Sequence, residues 1–425
     1  MILTDILQVI YAPKKAFKSI TSNPKYLGVI IILLLFMGLE IGFEYVQFTK
    51  TSLEVTSPLA GAMQTYNNAT YWTGSQDVAL TNNFDDYYNN TVYIAQLQRP
   101  PNDPQGYYSL FGNNSLDIQA NNTNTAIAAL SNTSNVDCTP NGFQNLSISL
   151  KLIQPQSAPQ SAILTLYSLG DTNYYTYDLT NALSSASASG QWGNLSIPLG
   201  PDAVGWTENG NPQWTNITSL TLQFTYSSDQ DINIRIGALF FRGQFIQPIQ
   251  YDTTTSLLGF LQIFSLRFLF TWLVLAAIVY AICRGLKNTV VWKPLFITLG
   301  FALFVMVVRS LVNIIAALTL PVSYYPYDVQ LGLGYDSFMA VSYPNTIGTL
   351  TSQSINSLAS ISTSLEAFRA IVSGMFLVSY VWLGGLAALA LKELKPEFST
   401  PKCLVFSAVS VAVTLLVLWF FINVV

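Results

Sequence analysis

The chain of 425 residues contains no histidine. Without imidazole, a Ser-His-Asp triad, a Cys-His dyad and the usual histidine-containing zinc and haem sites are excluded. Glycosidase-type carboxylate pairs remain open, but the sequence singles out no such pair. It also lacks the nucleotide motif G-x-x-x-x-G-K-[ST]. We therefore predict a protein that is not an enzyme, with no cofactor and no metal centre.

Cysteine is nearly absent, with only Cys138, Cys283 and Cys403. Only Cys138 lies in the polar middle of the chain, so an internal disulfide is excluded there and Cys138 is predicted to be a free or intermolecular thiol. Cys283 and Cys403 lie near the ends of apolar runs. They are predicted to be inert apolar residues, with palmitoylation as the alternative.

Charge is also scarce, at 9% of residues with a mean hydropathy of +0.38, against about 25% charged residues in a soluble domain. Runs of 18 or more apolar residues predict membrane-spanning helices. Five such runs occur, at about 25–47, 257–283, 294–320, 365–391 and 401–424. The first is too long for the apolar part of a signal peptide and no A-x-A site follows it, so we expect it to remain as an anchor.

Lysine and arginine near the span ends predict the orientation, because positive charge is retained on the cytoplasmic side. They precede the first span and lie between spans two and three and between spans four and five: Lys14, Lys15, Lys18, Lys25, Arg284, Lys287, Lys293, Lys392, Lys395 and Lys402. The segment 321–364 has none. We therefore predict a plasma-membrane protein with a cytoplasmic N-terminus and an extracellular middle domain and C-terminus.

Glycan acceptor sequences N-x-[ST] support this orientation, since they mark exposed surface. Eight occur, all between residues 51 and 250, at Asn68, Asn89, Asn113, Asn121, Asn132, Asn145, Asn194 and Asn216. Some matches are due to chance in a segment rich in Asn, Ser and Thr. Their confinement to one segment predicts that this segment is outside the cell.

The two ends of the chain carry a family resemblance. The opening contains Pro13, Ala16-Phe17, Ile20 and Asn23-Pro24 before the first span, and the stretch from Val381 to Lys402 reads VWLGGLAALALKELKPEFSTPK. Over residues 1–48 and 255–425 this resembles the Yip family of five-span membrane domains. The resemblance implies a single bundle with the N-terminus inside. Eukaryotic members are linked to vesicle traffic and small GTPases, whereas prokaryotic members have no settled activity.

The segment 1–24 before the first span is predicted to be a cytoplasmic amphipathic helix. Its apolar face would consist of Ile2, Leu3, Ile6, Leu7 and Ile10, and its lysines would meet anionic headgroups of the lipid bilayer. This prediction holds with or without the family assignment.

The middle of the chain, 49–250 with a core at about 75–245, is predicted to be an all-β domain. Alternating or short apolar runs separated by Gly, Pro, Asn and Ser occur at 145–153, 161–169, 173–179, 194–199, 217–226 and 231–243. Strands at this spacing are typical of an antiparallel sandwich. The predicted fold class is thus a bundle of five membrane helices with an extracellular jelly-roll sandwich inserted between helices one and two.

The order of features in this domain resembles the galactose-binding-like jelly rolls of many carbohydrate-binding modules. Trp192 leads one strand, Trp206 lies in a predicted loop, and Trp214 precedes the closing strands. Where that family often has aspartate in the last strand, this chain has Gly237, which puts a calcium or structural contact in doubt. For Trp192 and Trp214 the alternative to sugar binding is a role as core anchors. Trp206 is the candidate for stacking on a sugar.

Acidic residues dominate the polar middle, with 13 Asp or Glu against 4 Lys or Arg in residues 51–250. Nucleic acid is therefore excluded as a partner. Asp85, Asp86, Asp229 and Asp231 offer oxygens for calcium, with solvated turn carboxylates as the alternative. Few charges and many acceptor sequences are typical of an archaeal cell surface facing acid.

Five ionisable residues fall within or near the spans: Glu40, Glu44, Arg267, Arg309 and Arg369. Because an unpaired charge in a membrane costs about 2.5–3.5 kcal/mol or more, we predict an ion-pair network in the outer half of the bundle in which Glu40 meets Arg267 or Arg309. Gly38 and Gly42 would admit a close neighbouring helix. The alternatives are a structural network and a site for an anion, a lipid headgroup or a proton.

Two functions follow from these features. The first is a cell-surface protein whose sandwich binds glycan, a cell-wall lattice or a protein partner. The second is a transporter or an accessory subunit of a membrane complex that uses the Glu/Arg cluster, although no internal repeat and no broken helix is evident in the sequence.

Overall fold

The computed structural model describes residues 2–58, 65–88, 114–186, 190–248, 253–285, 290–326 and 352–422. The chain forms two compact units. The helical unit comprises Met1–Thr51, Gln247–Ser323 and Ser360–Val425, and the second unit comprises Ser52–Ile246 and Tyr324–Ala359.

The helices of the described chain are α1 Ile2–Tyr11, α2 Pro13–Ser22, α3 Tyr26–Thr49, α4 Thr180–Ala186, α5 Thr253–Gly285, α6 Trp292–Ala302, α7 Phe304–Leu318, α8 Ser352–Leu394 and α9 Thr400–Ile422. Among the residues that the structure describes, five segments are long and apolar enough to cross a membrane: Tyr26–Thr49, Leu258–Gly285, Trp292–Leu318, Leu365–Leu394 and Thr400–Phe420. The five predicted spans are confirmed, and so is the insertion of a β-sandwich between the first and second of them.

The third span is interrupted in its middle. Helix α6 ends at Ala302 and α7 begins at Phe304, with Leu303 at ψ −6° between them. The span is 78% buried, against 33–44% for the other four, so the interruption lies in the centre of the helical unit. Leu303 keeps right-handed helical angles and its N–H donates to Leu299 O at 3.3 Å, so the interruption is one tight turn within a single span and not an unwound segment.

The opening helices pack onto the bundle. Ile6 and Val9 of α1 and Phe17 and Ile20 of α2 are buried in the same core as the spans. The predicted single apolar face is divided between two environments, since Ile6 is buried while Leu3 and Leu7 are 64% and 57% exposed. The sequence alone could not separate the face that meets the bundle from the one that does not.

Close helix approach occurs at glycines other than the predicted pair. A Cβ added to Gly28 would lie 2.0 Å from the ring of Phe301, and one on Gly300 would lie 2.6 Å from Val29. By contrast, no described residue lies within 4 Å of a Cβ on Gly38, and a Cβ on Gly42 would make an ordinary contact with Ile314 at 3.6 Å. The prediction of close packing at Gly38 was therefore wrong.

The strands are β1 Thr51–Ser57, β2 Trp72–Gly74, β3 Val78–Asn83, β4 Ser115–Val136, β5 Asn145–Gln154, β6 Ser161–Ser168, β7 Tyr174–Asp178, β8 Gly193–Pro198, β9 Trp206–Asn209, β10 Ile217–Ile246 and β11 Ser323–Tyr325. The last two predicted strands of the domain form the single strand β10. Strand β4 was not predicted, because alanine, asparagine and threonine replace the larger apolar residues that usually mark a strand.

A long antiparallel ribbon of β4 and β10 organises the sandwich. Its register shifts between Thr225 and Ile232, next to Asn122 at φ +49°. On one side of this irregularity the ribbon pairs with β2 and β6, and β7 and β9 follow β6. On the other side it pairs with β3 and β5, and β8 follows β5. The core includes Leu116, Ile118, Leu150, Phe224 and Ile234.

Candidate functional site

The candidate site is a polar surface of the sandwich domain that we call the Asp86 surface. It consists of Asp86, Tyr88, Asp117, Ser149, Lys151, Trp192, Asn194, Arg235 and Gly237, all within the second unit. Successive side chains of a strand point to opposite faces. Since Leu116, Leu150 and Ile234 are in the core, alternation places Asp117, Lys151 and Arg235 on the opposite face.

Strand register aligns three of these charges in one row. Arg235 of β10 is paired with Asp117 of β4 on one side and with Lys151 of β5 on the other. Arg235 Nε lies 3.6 Å from Asp117 Oδ1, which is an ion pair too long for a hydrogen bond. Neither of these two buried atoms has a hydrogen-bond partner in the described part of the chain.

Asp86 completes the charge balance from the turn after β3. Its Oδ2 accepts hydrogen bonds from Lys151 Nζ at 2.8 Å and Arg235 Nη1 at 2.5 Å, and its Oδ1 accepts one from Trp192 Nε1 at 3.2 Å. Burial raises the pKa of Asp86, but hydrogen bonds from Lys151, Arg235 and Trp192 outweigh it and hold the pKa below its usual value. The two carboxylates and two cations leave the surface with no net charge.

Two half-buried aromatic side chains border this row. Tyr88 and Trp192 meet edge to face, with ring centroids 5.9 Å apart at 75°. Asn194 Nδ2 donates to the Tyr88 hydroxyl at 2.7 Å, and Ser149 Oγ donates to Asn194 Oδ1 at 2.5 Å. Trp192 is therefore held on the outer face by polar contacts, and the alternative of a core anchor does not apply to it.

Gly237 makes room for this aromatic pair. A Cβ at Gly237 would lie 2.7 Å from Tyr88 Cβ and 3.4 Å from the Trp192 ring. Gly237 stands where the resembled family often has aspartate, and Tyr88 and Trp192 pack in the space that a side chain there would occupy.

Trp206, the residue predicted to stack on a ligand, lies in strand β9 rather than in a loop. Its ring packs 5.1 Å from Tyr177 and 5.3 Å from Trp214, and its Nε1 donates to Pro198 O at 2.7 Å. Trp214 is 7% exposed and belongs to the core. The Trp206 side chain thus packs against the edge of the core, and its stacking on a ligand stays a prediction.

The four aspartates considered for calcium do not form one group. Asp86 is bound by Lys151 and Arg235, and Asp231 Oδ1 accepts a hydrogen bond from Asn122 N at 3.1 Å. Among the described residues, no three acidic, cysteine or histidine side chains are placed to hold a metal ion.

The glycan acceptors differ in their surroundings. Asn121, Asn132 and Asn194 are exposed, while Asn68, Asn145 and Asn216 are partly buried. Asn89 and Asn113 lie outside the described residues. Cys138, Cys283 and Cys403 are all free and buried, and burial raises the pKa of the Cys138 thiol.

The helical unit contains a second polar cluster. Arg309 Nη2 of α7 lies 3.5 Å from Glu40 Oε1 of α3, and Ser310 Oγ also contacts Glu40 Oε1. Glu40 and Arg309 are both 5% exposed. Of the two arginines considered for Glu40, the structure brings Arg309 to it, and Arg267 acts electrostatically on Glu44.

Several buried polar atoms of α3, α7 and α8 have no hydrogen-bond partner in the described chain: Glu44 Oε2, Arg309 Nε, Asn313 Oδ1 and Arg369 Nη2. Sequence reasoning missed Ser310 and Asn313, although Ser310 directly follows Arg309 and Asn313 lies one helical turn after it. It also missed the charges of the Asp86 surface. The available signal was the rarity of basic residues, since Lys151, Arg235 and Arg242 are three of only four in 51–250. Each of these three forms an ion pair with an acidic residue.

No protein-family model matches the chain, and no curated protein matches it. The resemblance to the Yip family therefore stays a prediction.

Among solved structures, the chain is similar to a family 11 carbohydrate-binding module from Clostridium thermocellum in complex with a mixed-linked tetrasaccharide. The identity is 11%, the match covers 45% of this chain and 95% of that one, and the TM-score is 0.26. A family 11 module of the cellulase Lic26A-Cel5E from the same organism matches with 10% identity, 40% and 85% coverage and a TM-score of 0.23. Likenesses at TM-scores this low do not decide what the domain binds.

Proposed function

We propose that this is a non-enzymatic, multi-pass membrane protein whose sandwich domain binds neutral glycan at the Asp86 surface. The observation that carries the proposal is the half-exposed Tyr88–Trp192 pair beside a row of fixed polar side chains. Binding sites for small ligands combine aromatic faces with a few precisely placed polar groups, and a sugar ring presents both C–H groups and hydroxyls to such a surface.

Charge and geometry favour a neutral ligand. Asp86 and Asp117 balance Lys151 and Arg235, so a charged ligand gains no net attraction from the row. A hydroxyl is both a donor and an acceptor, so the hydroxyls of a sugar can pair with groups of either sign at this surface. Because the ion pairs already fix these side chains, binding costs little further side-chain entropy.

The orientation in the membrane belongs to the same proposal. The lysine bias and the acceptor sequences support a cytoplasmic N-terminus and an extracellular sandwich domain on a Yip-like bundle. The glycan would then be a component of the cell's own surface, including a glycosylated surface lattice. The composition supports an archaeal source.

The test uses the full-length protein in lipid nanodiscs on an array of neutral and charged glycans. We expect binding to neutral glycans, loss of it in Trp192→Ala, and retention in Tyr71→Ala, a matched control whose side chain is 48% exposed in the same domain. The proposal fails if no glycan binds, or if both variants lose binding equally.

A second function is favoured by the buried Glu40–Arg309 pair within the apolar spans. Ionisable residues inside membrane helices often mark the pathways of substrates or ions. A transporter or an accessory subunit of a membrane complex would use the Glu40–Arg309 cluster. Loss of flux or of complex assembly in Arg309→Gln, with the folded protein retained, would support this alternative.

A further inference from the structure

The buried cluster of the helical unit contains charges without enough partners. Arg309 and Asn313 are each 5% exposed, yet Arg309 Nε and Asn313 Oδ1 make no hydrogen bond in the described chain. A buried polar group without a partner costs about 1–3 kcal/mol, and more if it is charged. Two such side chains one helical turn apart indicate that something outside the described residues satisfies them.

Glu44 and Arg369 extend the cluster from two further helices. Glu44 lies one turn after Glu40 on α3, and its Oε2 is buried without a hydrogen bond. Arg369 lies on α8 between Leu365 and Val372, which both pack on the cluster of Phe43, Ala317 and Leu320. Helical spacing puts Arg369 on the same face as these two residues, towards α3 and α7, and its Nη2 is also buried without a partner.

The four unpartnered atoms define the ligand by their chemistry. Arg309 Nε and Arg369 Nη2 can only donate, whereas Glu44 Oε2, as a carboxylate oxygen, and Asn313 Oδ1 accept. The Glu40–Arg309 contact at 3.5 Å is longer than the 2.7–2.9 Å or so of a strong charge-assisted bond, so the edge of the Arg309 guanidinium is still available. Arg267 also acts electrostatically on Glu44, and the three arginines with the two glutamates leave one excess positive charge.

We propose that this cluster binds a small oxyanion that carries its own proton, of the bicarbonate or hydrogen phosphate class. Its bare oxygens accept from Arg309 Nε and Arg369 Nη2, and its hydroxyl donates to Glu44 Oε2 or Asn313 Oδ1. The negative charge offsets the excess of arginine. Chloride cannot donate and sulfate has no proton at neutral pH, so both lack half of the required contacts. The inference does not depend on glycan binding by the sandwich domain.

The test measures the denaturation midpoint of the full-length protein in nanodiscs of neutral lipid. The sodium salts of bicarbonate, phosphate, sulfate and chloride are titrated at equal ionic strength. We expect a saturable rise of the midpoint with bicarbonate or phosphate, and none with chloride or sulfate. The proposal is overturned if no salt has this effect, or if sulfate matches phosphate.

Variants locate the site. Arg369→Gln and Asn313→Leu are expected to weaken anion binding at least about tenfold, which corresponds to about 1.4 kcal/mol, while both remain monodisperse in size-exclusion chromatography. Arg284→Gln is the matched control, because Arg284 is an exposed arginine at the far end of α5. Equal weakening in Arg284→Gln would contradict the assignment to the cluster.

The same chemistry is found in a lipid headgroup that ends in a phosphate monoester. Nanodiscs containing phosphatidic acid distinguish the two sources. If phosphatidic acid abolishes the effect of free phosphate on the midpoint of the native protein, but has no such effect in Arg369→Gln, the headgroup occupies the cluster. If free phosphate acts equally with and without this lipid, the occupant is the soluble ion.

Discussion

Arg309 Nη2 and Glu40 Oε1 lie 3.5 Å apart, although the two residues are separated by 269 positions in the sequence. Both side chains are nearly fully buried among apolar neighbours, and each lies in a segment long enough to span a membrane. Burying an ion costs several kcal/mol unless it is paired. The pair therefore couples α3 to the central span more specifically than apolar packing does.

Removing both partners of this pair is expected to cost less than the sum of the two single removals. Glu40→Gln and Arg309→Gln should each lower the stability of the helical unit by about 3–5 kcal/mol, because each leaves an uncompensated buried charge. The double variant should be less destabilised than the sum, with a coupling of about 0.5–3 kcal/mol. Thermal denaturation of the purified protein in one detergent measures all four forms, and strict additivity would show that the pair makes no energetic contribution.

Glycine substitutions distinguish close helix contacts from open ones within a single helix. Gly28→Ala forces a Cβ against the Phe301 ring at 2.0 Å, so we expect a loss of about 1–3 kcal/mol from overpacking. Gly38→Ala is the matched control, since nothing lies within 4 Å, and it should be neutral or stabilising by about 0.5–1 kcal/mol. Denaturation midpoints measure both; a stable Gly28→Ala protein would contradict the packing described for α3 and α6.

Gly237→Ala tests whether the Asp86 surface needs the close packing of Tyr88 and Trp192 on Gly237. The new Cβ would lie 2.7 Å from Tyr88 Cβ, so Tyr88 and Trp192 must move. We expect glycan binding to fall at least tenfold, or by about 1.4 kcal/mol, while the sandwich domain remains folded by circular dichroism. Full binding by a folded Gly237→Ala protein would show that the aromatic pair is not part of the site.

Acid should weaken the Asp86 contacts. Because the folded-state pKa of Asp86 lies below its usual 3.8, the carboxylate stabilises the fold fully above that value. The contribution is lost as the pH falls through the folded-state pKa. We therefore expect the midpoint difference between the native protein and Asp86→Asn to be largest near neutral pH and to shrink towards strong acid. A difference that grows as the pH falls would contradict this assignment.

Glycan occupancy should follow the side-chain contacts of the acceptors. Asn121 and Asn132 are exposed, whereas the Asn194 amide donates to the Tyr88 hydroxyl and its oxygen accepts from Ser149. Attachment to Asn194 Nδ2 would compete with the first contact. Glycopeptide mass spectrometry of protein from native membranes is expected to find occupancy at Asn121 and Asn132 and little at Asn194; the opposite pattern would place a glycan on the proposed site.

The spans could be predicted from sequence because a helix that crosses a membrane requires a long run of apolar residues. The interruption at Leu303 could not, since Ala302 and Phe304 on either side are as apolar as the rest of the run. In the sandwich domain, β5 and β6 alternate clearly, while β4 buries Ala120, Ala126 and Ala128, whose small side chains carry little signal.

The candidate site was harder to predict than the fold. Asp86 meets Lys151 across 65 positions and Arg235 across 149, and only strand register brings these residues together. The tryptophan of this surface is Trp192, whereas the sequence favoured Trp206 because a tryptophan between strands suggests an exposed ring. Pairing of β9 with β7 instead packs Trp206 against Tyr177.

The most direct test of the proposed function is a calorimetric titration of the best-binding neutral glycan into the full-length protein, Trp192→Ala and Trp206→Phe. The Asp86 surface predicts that Trp192→Ala binds at least tenfold more weakly, by about 1.4 kcal/mol, and that Trp206→Phe binds like the native protein. Native affinity in Trp192→Ala together with loss in Trp206→Phe would contradict the account and move the site to Trp206.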